Sequence, residues 1–419
     1  MTTADIHHSI EAVWKIEAAR LIAMLARMLR DVSEAEDLAQ DVLLVALEHW
    51  PRNGLPDNPG AWLMTTARRR AIDLLRHRRM RGDKQALLSH ELEPAAMSHA
   101  PDDADALDDA IGDDVLRLMF AACHPVLGRD MQVALTLRML GGLGTPEIAR
   151  AFLAKEATIA QRIVRAKRIL ADNRVPFEIP HGEELAPRLT SVLEVVYLIF
   201  NEGYAATGGA NWMRPALCEE ALRLGRMLTT LAPREPEVHG LIALMEIQAS
   251  RLGTRIDAGG TPILLADQDR SRWDRLLIRR GLAALEHAEA LGGRGSYVLQ
   301  AAIAACHARA LHLDDTDWAR IAALYAQLAT LTASPVVELN RAVAVSMVDG
   351  PQAGLALIDK LRGEHALTGY HLLPSVRGDL LFRLGRHAEA RAEFERAAAL
   401  AGNAREAGLL NQRAVACDK

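Results

Sequence analysis

Apolar residues recur at helical spacing along most of the chain. Over 144–170, Ile159, Ile163, Ala166 and Leu170 fall at i, i+4, i+7 and i+11, one stripe of a helix. Thr158, Arg162 and Arg165 share another face, with Lys167 and Arg168 just beyond. A shorter helix is predicted before it, over 145–153, opened by Thr145-Pro146 and carrying Glu147, Ile148 and Ala149. This is the pattern of a helix-turn-helix, whose second helix enters the major groove, where arginine pairs with guanine edges and phosphates. The same period also suits a core helix with a solvated charged side. Toward the N-terminus three more helices are predicted, over 11–29, 33–50 and 59–79. Ser33 and Glu36 have the spacing of a capping box. Residues 51–59, rich in Pro, Gly and Asn, read as a loop.

Residues 85–109 change character, with Glu91, Glu93, Asp102, Asp103, Asp105, Asp108 and Asp109 set among small residues and prolines. That composition predicts a flexible acidic linker. A second helical block follows over 113–170. Beyond Pro176 the chain becomes a series of Ala- and Leu-rich helices. Near its end Gly350 and Gly385 lie about one tetratricopeptide period apart. Gly378, Leu381, Ala390, Phe394 and Ala397 alternate small and large residues around the second of them, as two closely packed helices require. Repeats are not legible over 176–335.

Composition narrows the class. With 419 residues and 50% hydrophobic content, the chain has material for several domains, and only 4% of it is aromatic. β-Branched alternation is missing from long stretches, so the expected fold class is all-α. A net charge of −5 argues against a protein that coats nucleic acid indiscriminately, while leaving room for local basic patches. Cys123, Cys218, Cys306 and Cys417 form no CxxC pair, and Cys123-His124 reads as a buried thiol beside a capping histidine. Neither a metal site nor a cofactor is expected. No apolar run spans a bilayer, which places the expected protein in the cytoplasm.

Two further stretches carry candidate chemistry. On the second helix, Asp37, Gln40, Asp41 and Leu44 form an acidic and amide face opposite Ala35, Leu38, Val42 and Val45. That face suits docking on a basic protein surface, or plain solvation. On the third, Trp62, Leu63, Ala67, Ala71 and Leu74 or Leu75 supply an apolar side. Arg68, Arg69, Arg70, Arg76, Arg78, Arg79, Arg81 and Lys84 make a cationic strip able to neutralise phosphates. Trp62 and the preceding loop offer a platform for an unpaired base. A basic helix for a membrane surface or an acidic partner is the competing reading.

AEDLAQDVLLVALEHW followed by NPGAWLMTTARRRAIDLLRHRR resembles region 2 of an extracytoplasmic-function (ECF) RNA polymerase sigma factor, and GGLGTPEIARAFLAKEATIAQRIVRAKRIL resembles its region 4. YLIFNEGYAA and LADQDRSRWD resemble the long tetratricopeptide-like extension of one group of that family. The resemblance implies an all-α chain of four parts: region 2 over 6–84, an acidic linker over 85–109, region 4 over 110–175, and a helical extension over 176–419. It implies core polymerase as partner, through the β′ clamp helices at Asp37, Gln40, Asp41 and Leu44, and through the β flap. It implies −10 contacts from Asn58, Trp62, Thr66, Arg69, Arg70, Arg76, Arg78 and Arg79, with Gly60 and Asp73 in the same motif. It implies −35 contacts from Thr158, Gln161, Arg162, Arg165, Lys167 and Arg168. Arg69 stands where many relatives have asparagine, and Ala160 where a basic residue is common. The linker would thread toward the polymerase cleft. The genes of this group tend to neighbour small YCII-like (DGPF) proteins, a further partner.

In the extension, Glu202, Tyr204, Asp267, Asp269, Arg270, Arg272 and Asp274 are a candidate regulatory cluster, or else a set of buried ion pairs and caps. No nucleophile, metal set or phosphate loop accompanies them, so an enzyme is not expected. A tetratricopeptide scaffold and a dimeric repressor with a ligand-binding helical domain are the alternatives to a sigma factor. The basic third helix disfavours the repressor, which needs no melting helix.

Overall fold

A computed structural model of the chain describes residues 3–86, 114–152, 154–205, 213–257 and 259–418. Among these the fold is helical, without a strand. The chain divides into two compact units, Met1–Val195 and Val196–Lys419.

In the first unit α1 (Thr3–Leu29), α2 (Val32–Asn53) and α3 (Pro59–Ala86) pack together. Leu21, Ile22 and Leu25 of α1, Ala35, Ala39, Val42, Ala46 and Trp50 of α2, and Leu63, Ala67 and Ala71 of α3 are buried. The α3 stripe is the one its period predicts. On α2 the buried line is shifted: Leu38 and Val45 are half-buried, and Ala39 and Ala46 take the core. The capping box is not formed. Asp31, not Ser33, caps α2, accepting from the backbone N–H of Ser33 (2.7 Å) and Glu34 (3.0 Å). Glu36 is thereby free to turn inward. Pro51 does not begin a loop either, because α2 runs on to Asn53 and closes on Gly54 at a positive φ of 86°, which glycine adopts freely. The acidic linker lies outside the described residues, apart from Gln85 and Ala86.

A helix over 114–122, α4, leads to α5 (Arg129–Met139), α6 (Thr145–Ala151) and α7 (Glu156–Asp172). Gln132 Nε2 ties the α4–α5 turn by donating to the carbonyls of Cys123 and His124, both at 3.0 Å. α8 (Leu185–Tyr204) straddles the division between the units. Its first half belongs with α4 and α5: Arg188 donates to the Phe120 carbonyl (2.9 Å) and Ser191 to that of Cys123 (2.8 Å).

The second unit runs from the end of α8 through the α-helices α9 (Pro215–Leu231), α10 (Pro236–Ala249), α11 (Arg275–Ala290), α12 (Ser296–Arg309), α13 (Trp318–Thr332), α14 (Pro335–Val348), α15 (Pro351–Leu361), α16 (Leu372–Arg383), α17 (His387–Leu400) and α18 (Ala404–Ala416). Successive helices pack as pairs, α13 on α14, α14 on α15, α16 on α17 and α17 on α18. Gly350 and Gly385 make the turns within two of them, both at positive φ. A Cβ at Gly378 would sit 2.9 Å from the Phe394 ring, so the small residue is what lets α16 and α17 close. The same device works upstream, where sequence repeats are illegible: at Gly281 a Cβ would lie 2.6 Å from Ile247.

Candidate nucleic-acid interface

α7 carries the clearest surface. Gly144 donates its N–H to Glu147 Oε2 at 2.7 Å, fixing the start of α6. Ile159, Ile163, Ala166 and Leu170 are buried, the stripe predicted from spacing. Thr158, Gln161, Arg165 and Arg168 are exposed. Arg162 is held 2.9 Å from Asp130 of α5, itself well exposed. Arg168 lies 3.5 Å from Asp172.

Lys167 is different. Its ammonium binds Glu36 of α2 and lies 3.3 Å from Asp37, with only 11% of the side chain exposed. Glu36 is 4% exposed and also accepts Arg138 of α5, at 2.8 and 2.9 Å. A buried carboxylate shared by two cations therefore fastens α2 to α5 and α7. Two residues assigned by resemblance to separate partners, Asp37 to polymerase and Lys167 to the −35 duplex, pair with one another. Periodicity had no means of finding Glu36 or Arg138, because a buried charge breaks the apolar stripe that it reads.

On α2, Asp37, Asp41 and Leu44 are exposed and Gln40 is half-exposed, so the set that the resemblance assigns to polymerase shares one surface. On α3, Arg68, Arg69, Arg70, Arg76 and Arg79 are exposed. Arg78 is bonded to Glu34, and Arg76 lies 3.8 Å from Asp73. The side chains of Arg81 and Lys84 are outside the described set. Asn58 caps α3, its Oδ1 accepting the Ala61 N–H at 3.0 Å. Trp62 is half-buried and already has ring partners, Trp50 edge-on at 5.4 Å and His49 at 5.8 Å. Thr66 is half-buried beside it in sequence register.

The extension's candidate cluster divides. Asp267 and Arg272 are exposed, and Asp269 caps the turn at Ser271. Asp274 caps α11. Glu202 binds Arg214. Arg270 is 5% exposed and donates to the carbonyls of His307 (3.1 Å), Ala310 (3.1 Å) and His312 (3.3 Å). Around it stand residues not singled out from sequence. Arg255 stacks on the Tyr204 ring at 3.4 Å, Arg251 lies 5.8 Å from Tyr204 and 5.7 Å from Trp273, and Arg270 lies 5.3 Å from Trp273.

Burial first, then Arg251 and Arg270, hold the His307 imidazole down at about 3 from an ordinary 6.5. The unfolded chain takes up a proton near pH 6.5 that the native chain refuses until about 3. Stability is therefore complete above the higher value and declines as pH falls toward the lower. The expected loss between pH 7 and 4.5 is about 2–3 kcal/mol from this group. Urea titrations of the native protein and of His307→Asn at both pH values check it, since the variant should show a flatter pH dependence by that amount.

All four cysteines are buried and free. Desolvation pushes the Cys123 thiol up to about 12. His124 Nδ1 accepts the Val126 N–H at 3.1 Å, a turn-capping role. Among the described residues no helix is long and apolar enough to cross a membrane, and no cluster has the makings of a metal site.

The chain matches the family models for Sigma-70 region 2 over residues 16–81, for Sigma-70 region 4 over 117–170, and for a family of unknown function (DUF6596) over 188–289. An uncharacterized protein of Rhizobium meliloti is 46% identical over 390 residues, 93% of this chain and 91% of that one. ECF RNA polymerase sigma factor SigK of Mycolicibacterium vanbaalenii is 32% identical over 150 residues, 35% of this chain and 71% of the relative. Probable ECF RNA polymerase sigma factor SigI of Mycobacterium tuberculosis is 26% identical over 171 residues, 40% of this chain and 57% of the relative. With the buried stripe of α7, an arginine-lined third helix and both Sigma-70 regions in order, the chain belongs to the ECF RNA polymerase sigma factors, extended by a C-terminal helical domain.

Proposed function

We propose that this sigma factor divides its work by segment: 6–84 docks on polymerase and captures the −10 strand, 85–109 links, 110–175 reads the −35 duplex, and 176–419 regulates or aids docking. Asp37, Gln40, Asp41 and Leu44 meet the β′ clamp helices, and region 4 meets the β flap. Arg69, Arg70, Arg76 and Arg79 neutralise phosphates of the melted strand, while Trp62 and Thr66 meet its bases. Thr158, Gln161, Arg162, Arg165 and Arg168 face the −35 element. The polymerase supplies the chemistry, so the chain itself is not an enzyme, and it works in the cytoplasm with that enzyme. The extension's Tyr204–Arg270 cluster is its regulatory core, and a small YCII-like protein is its partner, a pairing tested by co-purification.

The observation that carries this reading is α7, whose apolar quartet is buried while Thr158, Gln161, Arg165 and Arg168 remain exposed. Base-edge readers and phosphate clamps need that separation of faces. The test is promoter-mapping transcription in vitro. Specific transcripts are expected only when both this chain and core polymerase are present. Duplex binding without core would favour a repressor, and neither activity would favour a scaffold.

A further inference from the structure

A cavity of about 800 Å³ opens in the first unit, walled by the ends of α1 and α7, the starts of α2 and α4, and the segment after α7. Its wall holds five cations, Arg27, Arg30, Arg117, Lys167 and Arg174, against two carboxylates, Asp31 and Glu178. Asp31 is occupied in capping α2. Arg27 and Arg117 share buried Asp114, at 3.1 and 2.5 Å, and Lys167 is held by Glu36. Arg30 and Arg174 have no carboxylate at ion-pair distance among the described residues, and both are exposed.

A second observation points at the same two residues. Arg30 ends α1 at φ 56° and Arg174 follows α7 at φ 48°. Helices commonly stop in this left-handed conformation, but with glycine, since a Cβ is strained there. Among the described residues only Ala333 shares it without being glycine. Two arginines stand in strained backbone on the wall of one electropositive cavity where glycine would fit more easily, and strain of this kind clusters at functional sites. The volume is that of a nucleotide pocket, well above what a lone phosphate fills. Half-buried Phe177, with Pro176, gives it an apolar wall on which a base can lie.

We infer that this cavity binds a nucleoside polyphosphate, with Arg30 and Arg174 gripping the phosphates and Phe177 against the base. The wall draws on both sigma regions, so occupancy would fasten one to the other. The inference goes beyond the transcription reading, and its test uses neither polymerase nor promoter, so failure here leaves that reading untouched.

The experiment is calorimetric titration of the full-length protein with GTP, ATP and inorganic tripolyphosphate at fixed ionic strength. One nucleotide is expected to bind saturably with one-to-one stoichiometry, at least about tenfold tighter than tripolyphosphate. The double variant Arg30→Gly, Arg174→Gly should bind it at least about thirtyfold more weakly, two charge-assisted contacts having gone. Glycine suits both backbone positions, so the variant's unfolding temperature should not fall. Unchanged affinity in the variant overturns the proposal, as does the absence of saturation below millimolar nucleotide. Equal affinity for tripolyphosphate overturns the nucleoside assignment. A short DNA duplex that displaces the nucleotide, and loses affinity equally in the variant, would reassign the cavity to the nucleic-acid path.

Discussion

Replacing Arg162 and Arg165 together by alanine is expected to lower promoter-specific transcription by at least about thirtyfold. Each well-placed arginine contact to a base edge contributes roughly 1–3 kcal/mol, and every 1.4 kcal/mol is tenfold. Neither side chain holds the fold. Arg165 is exposed, and the Arg162–Asp130 pair, with Asp130 72% exposed, is a surface pair of small energetic consequence. The melting temperature should therefore stay near that of the native protein while transcription collapses. Asp130→Asn is the control: it breaks the same ion pair but leaves both arginines free for DNA, and should transcribe normally. Footprinting places the defect, since −35 protection should disappear. Retained transcription in the double variant would remove α7 from the −35 element, whatever its resemblance.

What the chain discloses of itself follows from which interactions are periodic. The buried quartet of α7 and the Leu63, Ala67, Ala71 stripe of α3 are legible because a helix that buries one face must repeat its apolar residues at that spacing. The α2 cap lies two residues before the one its sequence predicts, because Asp31 and Ser33 are both good caps and only the chain's entry direction chooses between them. Upstream of Pro335 the helix pairs obey the same packing as those downstream, yet their close contacts are made by isolated glycines such as Gly281, with no repeated neighbour to reveal the period. The extension's cation–aromatic cluster is only half legible in the sequence. NEGY and DQDRSRWD are visible as motifs, whereas Arg251 and Arg255 lie in the turns after α10 and His307 lies within α12, and only the fold brings them together.

Glu36→Leu is expected to cost about 3 kcal/mol of stability, because it strands Arg138 and Lys167 in a buried setting without their carboxylate. Lys167 keeps Asp37 at 3.3 Å, which sets the loss at the low end for a broken buried cluster. For a unit of this size that is a fall of roughly 6–12 °C in melting temperature. A triple variant, Glu36→Leu with Arg138→Met and Lys167→Met, should recover most of it, since an apolar cluster of similar volume needs no charge pairing. No recovery would mean that the cluster matters through shape and not through charge. The transcription readout separates a second question. On the proposed reading, regions 2 and 4 meet separate stretches of promoter, so the direct bond between α2 and α7 through Glu36 and Lys167 would have to open on engagement. Glu36→Leu, assayed well below its melting temperature, should transcribe at least as well as the native protein despite its lower stability. A loss comparable to that of the arginine double variant would instead put Glu36 in contact with the polymerase.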